Sequence, residues 1–107
     1  GGNRDQEKRP MMGEKAVLLS DKVIFTSDNP RDEDPEIIIS DMIKGVPPEH
    51  YKKAIKVTLR EEAIIMAGQL AKPGDIVLIA GKGHEQYQEI KGKRNHFSDL
   101  EIAKKFF

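Results

Sequence analysis

The sequence predicts a single α/β domain: an open, mostly parallel sheet with flanking helices and a C-terminal hairpin. Three observations predict it. The apolar run Ile76-Val-Leu-Ile-Ala80 is short, unbroken and bounded by turn residues, the pattern of a strand buried on both faces beneath helices. Helix-like and strand-like stretches alternate along the chain, as right-handed crossovers in one sheet require. Helix starts are marked by Asp34-Pro35-Glu36 and by the spacings Thr58-x-x-Glu61 and Ser98-x-x-Glu101.

Taken in order, residues 1–10 form a polar, glycine-led loop that feeds Pro10, a residue suited to a first helical turn. Met12, Ala16 and Leu19 then follow at helical spacing, a stripe weakened by Gly13. Lys22 to Ser27 reads as a strand, rich in β-branched and aromatic side chains. Asp34 caps a helix whose apolar stripe is Ile38, Ile39, Met42, Ile43 and Val46, closed by Gly45 and Pro47-Pro48. Ala54 to Val57 is a short strand. Thr58 and Glu61 open a helix that runs to Ala71, ended by Pro73-Gly74. After the central run at 76–80, Tyr87 to Ile90 and the Lys91-Gly92-Lys93 turn predict an edge hairpin. A last helix from Ser98 puts Leu100, Ala103 and Phe107 on one face. Doubly wound folds place a strand before a glycine loop such as residues 1–10, so the chain reads as a fragment whose first strand precedes Gly1.

Composition narrows the function. Eighteen basic and eighteen acidic residues leave no net charge, hence no basic field for nucleic acid, and no apolar run reaches membrane-spanning length. The absence of cysteine excludes disulfides and thiolate chemistry and suits a cytoplasmic protein. Gly81-Lys82 lacks the spacing of a phosphate loop, His50, His84 and His96 show no metal spacing, and no serine lies in a nucleophile elbow.

Three polar loops remain, each at the end of a strand: Gly2-Asn-Arg-Asp5, Asp28-Asn-Pro-Arg31 and Gly81-Lys-Gly-His-Glu85. Ligands of open α/β sheets gather outside the carboxyl ends of the strands. Two arginines, an imidazole and carboxylates suit a zwitterion better than a phosphate, because the arginine fork takes carboxylates and Glu85 takes an ammonium. Arg31 has a second reading, as a solvated partner of Asp32, Glu33 or Asp34. The glycines have one too, as an ordinary tight turn.

The motifs Gly1-Gly-Asn-Arg-Asp5 with Lys8-Arg-Pro10, Thr26-Ser-Asp-Asn-Pro-Arg31 and Val77-Leu-Ile-Ala-Gly-Lys-Gly-His-Glu85 with Tyr87-Gln88 together resemble the Rossmann-like C-terminal domain of the Mur ligase family. The resemblance runs the length of the chain. Many members carry aspartate at the position of Asn3. What the resemblance implies is a three-domain bacterial cytoplasmic enzyme. One domain takes a uridine nucleotide, a central one binds ATP and Mg2+, and residues 1–107 bring the incoming amino acid. Asp-Asn-Pro-Arg marks members that add meso-diaminopimelate to UDP-N-acetylmuramoyl-L-alanyl-D-glutamate in peptidoglycan synthesis. By the same implication Arg4, Asp28, Asn29, Pro30, Arg31, Gly81 and Glu85 contact the amino acid. Lys8 and Arg9 face the interdomain cleft near the nucleotide, and no catalytic or metal-binding residue lies in this stretch. Two alternatives stay open: a lysine- or glutamate-adding ligase of the same superfamily, and a non-catalytic amino-acid-binding module.

Overall fold

A computed structural model describes all of residues 1–107. Its elements in chain order are α1 (Lys8–Leu19), β1 (Val23–Phe25), α2 (Pro35–Ile43), a 3-10 helix (Pro48–Lys53), β2 (Ala54–Lys56), α3 (Arg60–Leu70), β3 (Tyr87–Ile90), β4 (Lys93–His96) and α4 (Asp99–Phe106). β1 and β2 pair in parallel with Ile24 opposite Ile55, and β3 and β4 form the antiparallel hairpin with Gln88 opposite Asn95. The fold is thus α/β, with a parallel pair, flanking helices and a hairpin.

α2 begins where the local signals place it. Pro35 stands at the first helical position and the Asp34 carboxylate accepts the Glu36 N–H at 2.9 Å, so an orphan donor is satisfied. Ile38, Ile39 and Val46 are buried, and Val17, Phe25, Ile39 and Val46 form the core between α1, β1 and α2. The buried face of α1 keeps only Ala16 of the predicted stripe: Arg9, Gly13 and Val17 are buried and Ala16 packs against the core, while Met12 and Leu19 are exposed. Gly13 explains the rotation. A Cβ there would lie 1.9 Å from the Met42 carbonyl oxygen, so the residue read as a weak point is where the backbones of α1 and α2 meet.

The predicted cap of α3 also fails. Thr58 donates its hydroxyl to Glu36 on α2, and Leu59 occupies the cap position with no side-chain hydrogen bond. At α4 the Ser98 hydroxyl does accept the Glu101 N–H, at 3.3 Å, but Glu101 turns to His96 instead of completing the box. Leu100 and Phe107 are largely exposed, although the Phe107 ring rests against Gly68 of α3.

The largest correction concerns Ile76–Ala80. The run joins no ladder: the sheets contain only the pairs β1-β2 and β3-β4. Ile76 is 95% and Leu78 86% exposed, whereas Val77 and Ile79 are half-buried, so one face packs and the other is bare. Apolar pattern records what a segment favours burying, but a strand needs a neighbouring backbone to pair with, and none of these elements supplies one.

Candidate functional site

The three loops do converge. The loop after β1 is stitched to β3 by main-chain hydrogen bonds, Arg31 N–H to the Glu89 carbonyl at 3.0 Å and Lys91 N–H to the Arg31 carbonyl at 2.7 Å. The N-terminal loop joins through Gly2 N–H to the Asn29 carbonyl at 2.7 Å. Gly81, with φ of 112°, brings the third loop against Asp28. A Cβ at Gly81 would lie 3.3 Å from the Asp28 carboxylate, in a backbone region that other residues rarely adopt.

Beneath the loops sits a buried ammonium. Lys82 has no exposed side-chain surface; its Nζ lies 2.8 Å from Asp28 Oδ1, 2.9 Å from the Tyr87 carbonyl and 3.3 Å from Asn29 Oδ1, over the Phe97 ring. The Asp28 contact is a charge contact, since Oδ1 accepts no well-directed hydrogen bond. Asn29 is itself 3% exposed and joins three segments. Its Oδ1 also accepts the Glu89 N–H at 2.8 Å, which leaves Nδ2 to donate to Glu85 Oε1 at 3.1 Å.

Arg31 lies at the rim. Its Nη1 donates to the Gly2 carbonyl at 2.7 Å and its Nε stands 3.7 Å from Glu89, so the partners read from neighbouring sequence, Asp32, Glu33 and Asp34, are not the ones it takes. Nη2 donates to no protein acceptor. Arg4 is exposed, and its guanidinium makes no hydrogen bond or ion pair within the chain. Glu85 is half-buried beside a cleft of about 130 Å³ lined with Gly83, His84, Gln86, Ser98, Asp99 and Leu100. Asp28 and Asn29 thus lie against Lys82 beneath the meeting loops and Pro30 is buried with them, while Arg4, Arg31 and Glu85 carry charge nearer the surface.

Asn3 belongs to the frame: its N–H donates to the Glu33 carboxylate and its Nδ2 to Asp32 at 3.0 Å. An aspartate here would set a third carboxylate against those two. Lys8 is exposed, but Arg9 is 3% exposed and turned inward, to Glu33 at 2.9 Å and Asp41 at 3.1 Å. That guanidinium holds both carboxyls below the ordinary range, and Glu33 in turn raises Arg9. Arg9's charge is thus committed inside the domain.

Sequence reasoning missed the buried cations. Arg60 grips Asp99 through Nε and Nη2, both at 2.8 Å, and reaches the carbonyls of Ser27 at 3.3 Å and Ala80 at 2.9 Å. One signal was available. A cation in the first turn of a helix opposes the helix dipole and so calls for a partner elsewhere.

No set of three or more histidine, aspartate or glutamate side chains is arranged to hold a metal ion. Asp28, Glu33, Asp41, Glu89 and Asp99 already face cations. Nor is any helix long and apolar enough to cross a membrane.

The chain is similar to known proteins along its whole length. Residues 1–83 match the family described as Mur ligase, glutamate ligase domain. The chain is similar to the UDP-N-acetylmuramoyl-L-alanyl-D-glutamate--2,6-diaminopimelate ligase of Bacteroides thetaiotaomicron, 54% identical over 107 residues, all of this chain and 22% of that protein. It is also similar to the protein of the same name from Aquifex aeolicus, 54% identical over 104 residues, 97% of this chain and 21% of that one. A solved structure of a ligase of that name superimposes with a TM-score of 0.91 at 47% identity, over 98% of this chain and 21% of that chain. The chain spans about a fifth of the length of these relatives. With the first two motif loops and the start of the third inside the matched residues, and the fold superimposed almost end to end, the chain belongs to the Mur ligase family.

Proposed function

We propose that residues 1–107 are the amino-acid-binding, C-terminal domain of an ATP-dependent ligase that joins meso-diaminopimelate to UDP-N-acetylmuramoyl-L-alanyl-D-glutamate. The observation that carries this is the separation of charge at one edge: Arg4 and the open side of Arg31 present cations, and Glu85 presents a carboxylate. Diaminopimelate has two carboxylates and two ammonium groups. Arginine forks meet the former, and Glu85 meets an ammonium while Asn29 holds one of its oxygens. An amino group of the bound amino acid, once it has given up its ammonium proton, would attack the activated carboxyl of the nucleotide substrate, forming the C–N bond as phosphate leaves and a second proton is released from the nitrogen.

ATP and Mg2+ belong, in this proposal, to a central domain beyond these residues, whose own donors do not suit the ion. The setting is the bacterial cytoplasm and the partner is that central domain. The unpaired backbone of 76–80 supports a further part of the reading: a strand from chain ahead of Gly1 pairs with 76–80 in the full-length protein. Steady-state kinetics of the full-length enzyme with meso-diaminopimelate, lysine and glutamate test the proposal. Product with the first at far higher kcat/KM supports it, and equal or better use of lysine or glutamate refutes it.

A further inference from the structure

Lys82 is the most enclosed charge in the chain, with no side-chain surface open to a ligand. Lysine is seldom buried so completely, and its cost is met here by acceptors on Asn29 and Tyr87 and by the charge of Asp28. Those acceptors belong to residues that shape the edge. Asp28 and Asn29 start the loop that carries Arg31, and Tyr87 follows the loop that carries Glu85. Lys82 also begins the turn that ends in Glu85, whose N–H donates to the Lys82 carbonyl at 3.0 Å.

The orientation of the Asn29 amide completes the link. Its oxygen faces two donors, the Lys82 ammonium and the Glu89 N–H, so its NH2 group faces Glu85. Reversing the amide would set NH2 against both donors and oxygen against the Glu85 carboxylate. The orientation is thereby fixed, and with it one oxygen of Glu85.

We propose that Lys82 is a positioning residue that acts through Asn29 to aim the Glu85 carboxylate at the ammonium group of the incoming amino acid. This rests on the reading of the edge as the amino-acid site. It assigns Lys82 a role in affinity for the amino acid, and none in phosphate binding or chemistry, despite the glycines on either side of it.

The test is a double-variant cycle in the full-length enzyme, with KM for meso-diaminopimelate and KM for ATP measured for Lys82→Met, Glu85→Gln and the pair. Lys82→Met should raise KM for the amino acid about ten-fold or more, with kcat and KM for ATP changed far less. Combined with Glu85→Gln it should add little, because both changes interrupt one chain of contacts. Where Lys82→Met alone leaves Asp28 stranded and the enzyme unfolded, the cycle is run with Asp28→Asn present in every variant, including its reference. Multiplying, independent effects on KM, or equal damage to both substrates, would overturn the proposal. If Glu85→Gln alone leaves KM for the amino acid unchanged, the reading of the edge fails first, and the two failures are told apart.

Discussion

Replacing Arg31 by alanine in the full-length enzyme should remove most of its preference for meso-diaminopimelate over lysine. The two amino acids differ by the carboxylate at the far end, so discrimination must come from the group that meets it. Arg31 is 16% exposed in its side chain and keeps Nη2 free of protein acceptors, while Nη1 and Nε are engaged by the Gly2 carbonyl and Glu89. One charge-assisted contact at such a site is worth roughly 1.5–3 kcal/mol, or about 10- to 150-fold in kcat/KM. Glu89 sets the upper bound. At 3.7 Å it still pairs the guanidinium when lysine is bound, so the arginine is never a stranded charge and a larger penalty is not available. Arg31→Ala should therefore lose about 10- to 150-fold in kcat/KM for meso-diaminopimelate and gain little with lysine. The assay is the ratio of kcat/KM for the two amino acids in wild type and variant. An unchanged ratio would mean that Arg31 only braces the Gly2 loop.

Other substitutions probe the frame. Glu85→Gln should raise KM for the amino acid about ten-fold with KM for ATP little changed, since a charge-assisted bond becomes a neutral one; equal damage to both constants would indicate a structural role. Arg60→Met leaves Asp99 and the Ser27 and Ala80 carbonyls without their donor and should cost about 3–5 kcal/mol, lowering the melting temperature of the 107-residue chain by at least about 10 °C. A drop of only about 2 °C would refute that hub. Acid should weaken the fold through Glu33 and Asp41, held low by Arg9, and Glu36, held low by Lys56. Their pairing is complete above the unfolded carboxylate value of about 4 and is lost as pH falls through the lower native values. Urea midpoints measured downward from pH 7 should accordingly fall more gently in a Glu33→Gln, Asp41→Asn variant, and identical slopes would contradict the assignment.

What could be read from the sequence was decided locally. Asp34, Pro35 and Glu36 act within one turn, so the start of α2 was legible, as was the hairpin around Lys91-Gly92-Lys93. Thr58 misled because its hydroxyl had a distant competitor in Glu36, which no local spacing reveals. Ile76–Ala80 misled for the same reason on a larger scale: periodicity expresses apolar preference, while pairing depends on a second backbone. The meeting of the three loops was legible, but how their residues pair with one another was not. Asn29 and Asp28 look in sequence like exposed loop polar groups, and only folding shows them turned onto Lys82, a residue distant in the chain. Arg9 and Arg60 were obscured likewise, their partners lying 24 and 39 positions away.

The central claim is that the amino acid binds where the three loops meet. Selective amide labelling of the full-length enzyme, titrated with meso-diaminopimelate in the presence of the nucleotide substrate, tests it most directly. Shifts are expected at Arg4, Asn29, Arg31, Gly81 and Glu85, and none at Ser40, Lys44 and Tyr51, which line a larger open depression elsewhere on the domain. Shifts at Ser40, Lys44 and Tyr51 with a silent loop edge would contradict it.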